Sequence, residues 1–426
     1  MKLAVDRTLG KRIVVLAAPV VIAMMSQTAL NQVDHILIGR LPAQESIPGQ
    51  AALGISLILM WAVGGFLSAI AVGTQALTAR RIGEDDDARA GQVMFNSVIL
   101  AAIASAIASV VSWWVVPYVF PFFSKDAEVI RLGVPYLQWR MLGVLSMVTT
   151  ISYKSWFDGL GHTHVHMVAA LVMNAVNVVL NLGLIFGMWG FPRWGVTGSA
   201  VASMASSYLG LALMIIWSVW GTADRKEGRP RRYTALYHVY RLRNLNLGQQ
   251  WEIAKLSLPS GVATMFVMSG FGLFFKIVGV LDADAGTGAI YTAATQNIVI
   301  ILMLFFTACM AYGTATATLI GQSMGSKQTE LAERYGWESV KLGVYFTAVI
   351  GLLVFLYPES VLHVFSKDAQ VIAVARPILR ICGALLPFVL SAIVFTQALF
   401  GAGNTKFVMF VEFGLHFFCL VPLAYI

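Results

Sequence analysis

Stretch after stretch of this chain is long and apolar enough to cross a lipid bilayer, and that single feature excludes most folds. A helix needs about 20 apolar residues to span the hydrocarbon core. By that measure eleven spans are expected, at 13–38, 52–78, 92–116, 132–154, 165–188, 196–220, 253–280, 289–320, 337–357, 373–398 and 405–426. The hydrocarbon core offers no water to unpaired backbone groups, so open sheet edges are not tolerated and the spans are predicted to be helices. Composition agrees: 12% of the residues are charged, against roughly 25% in soluble domains. Cys309, Cys382 and Cys419 all fall in apolar segments without ligand spacing, which argues against a disulfide framework or a metal site. The first apolar stretch is too long for a cleavable signal peptide and lacks a small-residue cleavage site, so it reads as a retained helix.

The net charge of +8 is read as a topology signal, with no nucleic-acid partner expected. Nineteen Lys and Arg lie in the N-terminal tail and in alternate loops, against five in the opposite loops: Arg40, Lys125, Arg131, Arg193 and Lys367. Basic loops stay in the cytoplasm, so the N-terminus is expected there, in a prokaryotic inner (plasma) membrane. Residues 221–250, with DRKEGRPRRY (224–233), form the longest polar connection. They are read as a solvated basic cytoplasmic linker between an N-terminal lobe (1–220, helices 1–6) and a C-terminal lobe (251–426, helices 7–11).

Two lobes are expected because the chain repeats itself. FSKDAEVI (123–130) returns as FSKDAQVI (365–372), and Gly83 with Gly325, Pro135 with Pro377 and Gly161 with Gly403 keep the same 242-residue offset. Pro19 with Pro259, Gly39 with Gly279 and Leu41 with Leu281 are offset by 240. Six spans in the first copy is an even number, so the second copy enters the membrane in the same direction. Parallel repeats about an axis along the membrane normal belong to alternating-access transporters, with substrate bound between the lobes. The duplication also predicts a twelfth span, for which the sequence ends too early. In the repeated phrase, Ser is expected to precede a helix and Asp to sit in its first turn.

In this order, three segments resemble the MATE (multidrug and toxic compound extrusion) transporters over essentially the whole chain. Span one carries APVVIAMMSQTALNQVDHILIGRL, span two leads into GTQALTARRIGEDDDARA, and span five carries NAVNVVLNLGLIFG. The similarity is closest to the DinF-like branch. The branch with its cation site in the second lobe has acidic residues within spans seven and ten. Here span ten has none, and span seven has only Glu252, at its edge. The resemblance implies an antiporter that exports organic cations or other amphiphiles in exchange for protons, a monomer needing no cofactor beyond the coupling ion and no enzyme chemistry. Sodium coupling within the same family and a lipid-linked oligosaccharide flippase are the alternatives. A flippase cleft would need several Arg or Lys; Lys276 is read as the one that stands clearly inside a span.

Ionisable residues inside a membrane are costly and mark function. Asp34 is the leading coupling candidate. Gln27, Asn31 and Asp34 are spaced i, i+4, i+7 and share a helix face, as do Asn174, Asn177 and Asn181 at i, i+3, i+7. If the faces meet, they surround a carboxylate with amides, an arrangement able to exchange a proton or to coordinate sodium. The resemblance adds Ser203, in GSAVAS, at the family's threonine position, and notes a departure: Asn181 stands where many DinF-like members have a second Asp. Pro19 is the expected hinge of span one, since a proline removes a helix hydrogen bond. Lys276 and Glu412, the latter i, i+4 from His416, are candidate cleft charges. GHTHVH (161–166) alternates its three His, which does not place them on one helical face, so no metal site is expected.

Overall fold

The computed structural model describes residues 4–223, 231–285, 290–365 and 368–425. The chain is almost entirely helical. The long helices are α1 (Arg7–Gly39), α2 (Ala43–Gly83), α3 (Asp87–Phe123), α4 (Ala127–Leu160), α5 (His164–Phe186) and α6 (Gly195–Trp220) in the first lobe. The second lobe has α7 (Leu247–Ala285), α8 (Ile290–Gly325), α9 (Thr329–Leu356), α10 (Ala369–Gly401) and α11 (Thr405–Ala424). Ten of these are long and apolar enough to cross a membrane. The remaining one, α4, has the length, 34 residues, but Gln138, Arg140 and Lys154 along it lower its hydropathy.

The duplication is visible in the packing. In the first lobe α4 lies against α2 and α3; in the second, α10 lies against α8 and α9 in the same way. The lobes meet through α1 against α8 and, symmetrically, α2 against α7. The paired glycines show why they recur. Gly161 and Gly403 turn the chain after α4 and α10 with φ of 85° and 83°, a left-handed conformation that side chains with a Cβ resist. Gly83 and Gly325 sit where α2 and α8 cross: a Cβ on Gly83 would strike the carbonyl of Gln322, and one on Gly325 the carbonyl of Arg80.

The repeated FSKDA phrase starts helices, with one correction of register. Asp126 and Asp368 are the N-caps themselves, not first-turn residues. Asp126 accepts hydrogen bonds from the Glu128 and Val129 amides (2.8 and 3.0 Å), and Asp368 from those of Gln370 and Val371 (2.8 and 3.1 Å). A carboxylate there satisfies amides that the first helical turn leaves unpaired. Ser366 and Lys367 of the second copy lie outside the described residues, as do 224–230 of the basic connection.

The rest of that connection is not simply solvated. Thr222–Ala223 pairs antiparallel with Arg231–Arg232, and a short helix, Tyr233–Tyr237, follows. Tyr233 and Tyr237 are buried, with ring centroids 5.9 and 5.4 Å from Trp156 of α4. The Tyr233 hydroxyl is 2.8 Å from Nδ1 of His162. The first of the three alternating His therefore helps to dock the connection onto the first lobe.

Candidate functional site

Asp34 is buried, 7% exposed, five residues before the end of α1. That end lies opposite the basic loops. The Asn181 side-chain amide donates to its Oδ1 at 2.7 Å, and the Ser203 hydroxyl to Oδ2 at 3.4 Å. Behind these lies a second layer. The same Asn181 amide donates to Oδ1 of Asn177 (2.7 Å), and the Asn177 amide reaches the Ser203 and Ser206 hydroxyls (3.3 and 3.0 Å). The faces of α1 and α5 do meet, and α6 closes the third side. Through these bonds Asp34 ties α1 to α5 and α6.

Not every residue of the expected face joins in. Asn31 is exposed and lines a small cavity with Asp34, and Gln27 is half-buried; among the described residues neither donates to the carboxylate. The contact from α1 to Asn174 comes instead from the neighbouring Ser26, whose hydroxyl accepts from the Asn174 amide at 2.9 Å. The carbonyl oxygens Oδ1 of Asn174 and Asn181 are buried without a partner.

The cavity, about 30 Å³, is also lined by His35, Tyr136 and Arg140. Thirty cubic ångströms leaves room for a water molecule. Arg140 and Tyr136 are one turn apart on α4, so a cation and a phenol face the carboxylate's surroundings. Neither residue is among those expected from the sequence. Lys276 does not stand alone within the spans, since Arg140, Lys341, Arg376 and Arg380 lie within them too. The available signal was the low hydropathy of span four: a charge kept there needs a partner or a cavity. Lys341 pairs with Glu338 at 2.7 Å and Arg376 with Glu359 at 2.7 Å.

Lys276 is exposed on α7 and is not part of the Asp34 cavity. Glu412 is half-buried on α11, its Oε2 3.4 Å from Nδ1 of His416; the expected i, i+4 pair is formed, but in the second lobe. Pro19 lies within the continuous helix α1, 15 residues before Asp34.

At the basic end, side chains join the lobes. The Gln75 amide donates to the Thr314 carbonyl (2.8 Å) and the Thr318 hydroxyl (2.9 Å). The Thr318 hydroxyl donates to the Asp158 carbonyl (2.9 Å), and the Gln322 amide to that of Gly159 (2.9 Å). The seam is thus held between α2, α4 and α8, far along the helices from Asp34.

Comparison with known proteins fits this arrangement. The MatE family pattern matches twice, over residues 19–182 and 259–426, the two copies of the duplication. A "Probable multidrug resistance protein NorM" of Bacillus cereus is 26% identical over 372 residues, covering 87% of this chain and 77% of that protein. One of the same name from Thermotoga maritima is 24% identical over 421 residues, covering 98% and 85%. A solved structure described as the outward-facing conformation of a multidrug resistance MATE family transporter superposes with a TM-score of 0.85 at 20% identity. It covers 98% of this chain and 88% of its own.

Proposed function

Because the chain belongs to the MatE family, we propose that it is a monomeric antiporter exporting organic cations or other amphiphiles in exchange for protons. Substrate binds between the lobes from the cytoplasmic side, where the positive-inside rule places the basic loops. The observation that carries the coupling is the buried Asp34, held by Asn181 and Ser203 from two other helices. When Asp34 is ionised, the amide and hydroxyl bonds hold α1, α5 and α6 together. A proton arriving from the outer side neutralises the carboxylate, and those bonds lose their charge assistance. The helices are then free to rearrange and substrate release is favoured. Pro19 lets α1 bend during that change, because its ring removes one backbone hydrogen bond from the helix.

Sodium coupling is the second reading, and one observation favours it. The Oδ1 atoms of Asn174 and Asn181 lack a partner, and that of Asn181, whose amide bonds Asp34, is a hard oxygen donor beside a carboxylate, as a small cation needs. The test for both is transport of a fluorescent organic cation in proteoliposomes under an imposed proton or sodium gradient. Export driven by the proton gradient and lost in Asp34→Asn is expected. Full export by that variant overturns the assignment of Asp34, and export driven only by sodium overturns proton coupling.

A further inference from the structure

The basic end of α1 borders a groove of about 620 Å³ that the transport reading does not use. Arg7, Lys11 and Arg12 rim it, and Leu16, Leu160 and Leu319 form an apolar wall. The volume is that of a ligand pocket. Cations above and apolar surface below suit an amphiphile with a negative head.

Three further observations separate this groove from the general basic surface of a cytoplasmic face. First, all three cations are exposed, and among the described residues none has an ion-pair partner. Arg12 is positioned by a 3.0 Å hydrogen bond to the Tyr335 hydroxyl, which leaves its charge uncompensated. Second, Asp6, the nearest acid along the chain, is already engaged. It caps α1, and its other oxygen pairs with Arg334 at 3.0 Å. Third, the duplication did not impose the triplet. Leu16 lies against Gly161 as Leu256 lies against Gly403, so the surroundings of the groove have an equivalent in the second repeat. There, at the 240-residue offset, Arg7, Lys11 and Arg12 are replaced by Leu247, Trp251 and Glu252. Glu252 faces Arg81 at 3.9 Å. A feature kept by one repeat and reversed in the other is not needed for the architecture.

We propose that this groove is a binding site for an acidic phospholipid, its phosphate held by Arg7, Lys11 and Arg12 and its acyl chains against Leu16, Leu160 and Leu319. Basic pockets between membrane helices at the cytoplasmic face hold anionic headgroups, each cation contributing about 1 kcal/mol near the surface. The groove lies on the seam between the lobes, since Leu160 belongs to α4 and Leu319 to α8. A lipid seated there touches both lobes and raises the stability of this arrangement. The site is remote from Asp34, so its test is independent of the coupling reading.

The full chain in detergent is titrated with phosphatidylglycerol, phosphatidylcholine of the same acyl chains, and inorganic phosphate, with binding read by native mass spectrometry. Phosphatidylglycerol is expected to bind in preference to phosphatidylcholine. Arg7→Gln, Lys11→Gln and Arg12→Gln should each weaken it about five-fold, and together on the order of a hundredfold, by the cost per cation above. These positions are exposed, so the variants should fold. A control with Arg232→Gln, Arg241→Gln and Arg243→Gln removes three exposed charges elsewhere and should retain binding. Equal binding of the two lipids, unchanged binding by the triple variant, or an equal loss in the control overturns the site. Inorganic phosphate binding as tightly as phosphatidylglycerol overturns the lipid assignment and leaves a free-anion site.

Discussion

A single methyl group at the crossing of α2 and α8 should pry the lobes apart at the basic end. Gly83 and Gly325 lie so close that a Cβ on either falls inside the backbone carbonyl of the facing helix. In Gly83→Ala the helices would have to part by roughly 1 Å or more to restore van der Waals spacing. A backbone atom cannot swing away as a side chain does, so the strain passes to the seam. The nearest bond is that of Gln322 to the Gly159 carbonyl, at 2.9 Å; beyond it lie the two bonds of Gln75, at 2.8 and 2.9 Å. A net hydrogen bond contributes about 1 kcal/mol, so loss of the first alone shifts the equilibrium toward an open basic end by about five-fold. Loss of all three gives about 3 kcal/mol, on the order of a hundredfold. The assay is maleimide labelling of a single cysteine at Ala315, buried on α8 three residues before Thr318, in a chain freed of Cys309, Cys382 and Cys419. Labelling should accelerate by that range in Gly83→Ala and, by the duplication, in Gly325→Ala. An unchanged rate in folded, monodisperse protein would refute the argument that these glycines hold the seam closed.

Other perturbations follow from the same geometry. Asp126→Ala and Asp368→Ala remove equivalent N-caps and should each lower stability by about 1 kcal/mol; thermal unfolding showing a loss in only one would contradict the equivalence of the two helix starts. Ser203→Ala removes the weaker of Asp34's two bonds, so it should reduce gradient-driven export less than Asn181→Ala does; the reverse order in proteoliposomes would contradict the ranking by distance. His162, in the turn between α4 and α5, is held neutral by burial and secondarily by its neighbour His164, down to about 4. Its folded value lies below the ordinary 6.5, so stability is full above pH 6.5 and falls as the pH drops towards 4, by about 3 kcal/mol at most. His162→Gln should flatten this part of the pH profile of thermal stability, and an unchanged profile would rule His162 out.

Much of this was legible in the residues alone because it is local physics. An apolar run of some 20 residues has few options in a bilayer, and a repeated phrase such as FSKDA marks a helix start wherever it occurs. The helical spans and the two lobes followed from spacing and composition, and so did the position of Asp34, a carboxylate within an apolar run. The register of that phrase was misjudged by one position, since only the dihedral angles tell an N-cap from a first-turn residue.

The tertiary structure decided which side chains meet. Asn181 and Asp34 are 147 positions apart in the chain, and no periodicity within α1 could show that Ser26, not Gln27, would reach α5. Arg140 enters the Asp34 cavity from α4, a helix for which no site residue was expected. Tyr233 and Tyr237 looked like solvated linker until Trp156 supplied a surface to bury them. Periodicity says which residues share a face of a helix, because that depends on the helix's own geometry. The partner it meets depends on how the other helices close around it, and that is settled only when the lobes pack.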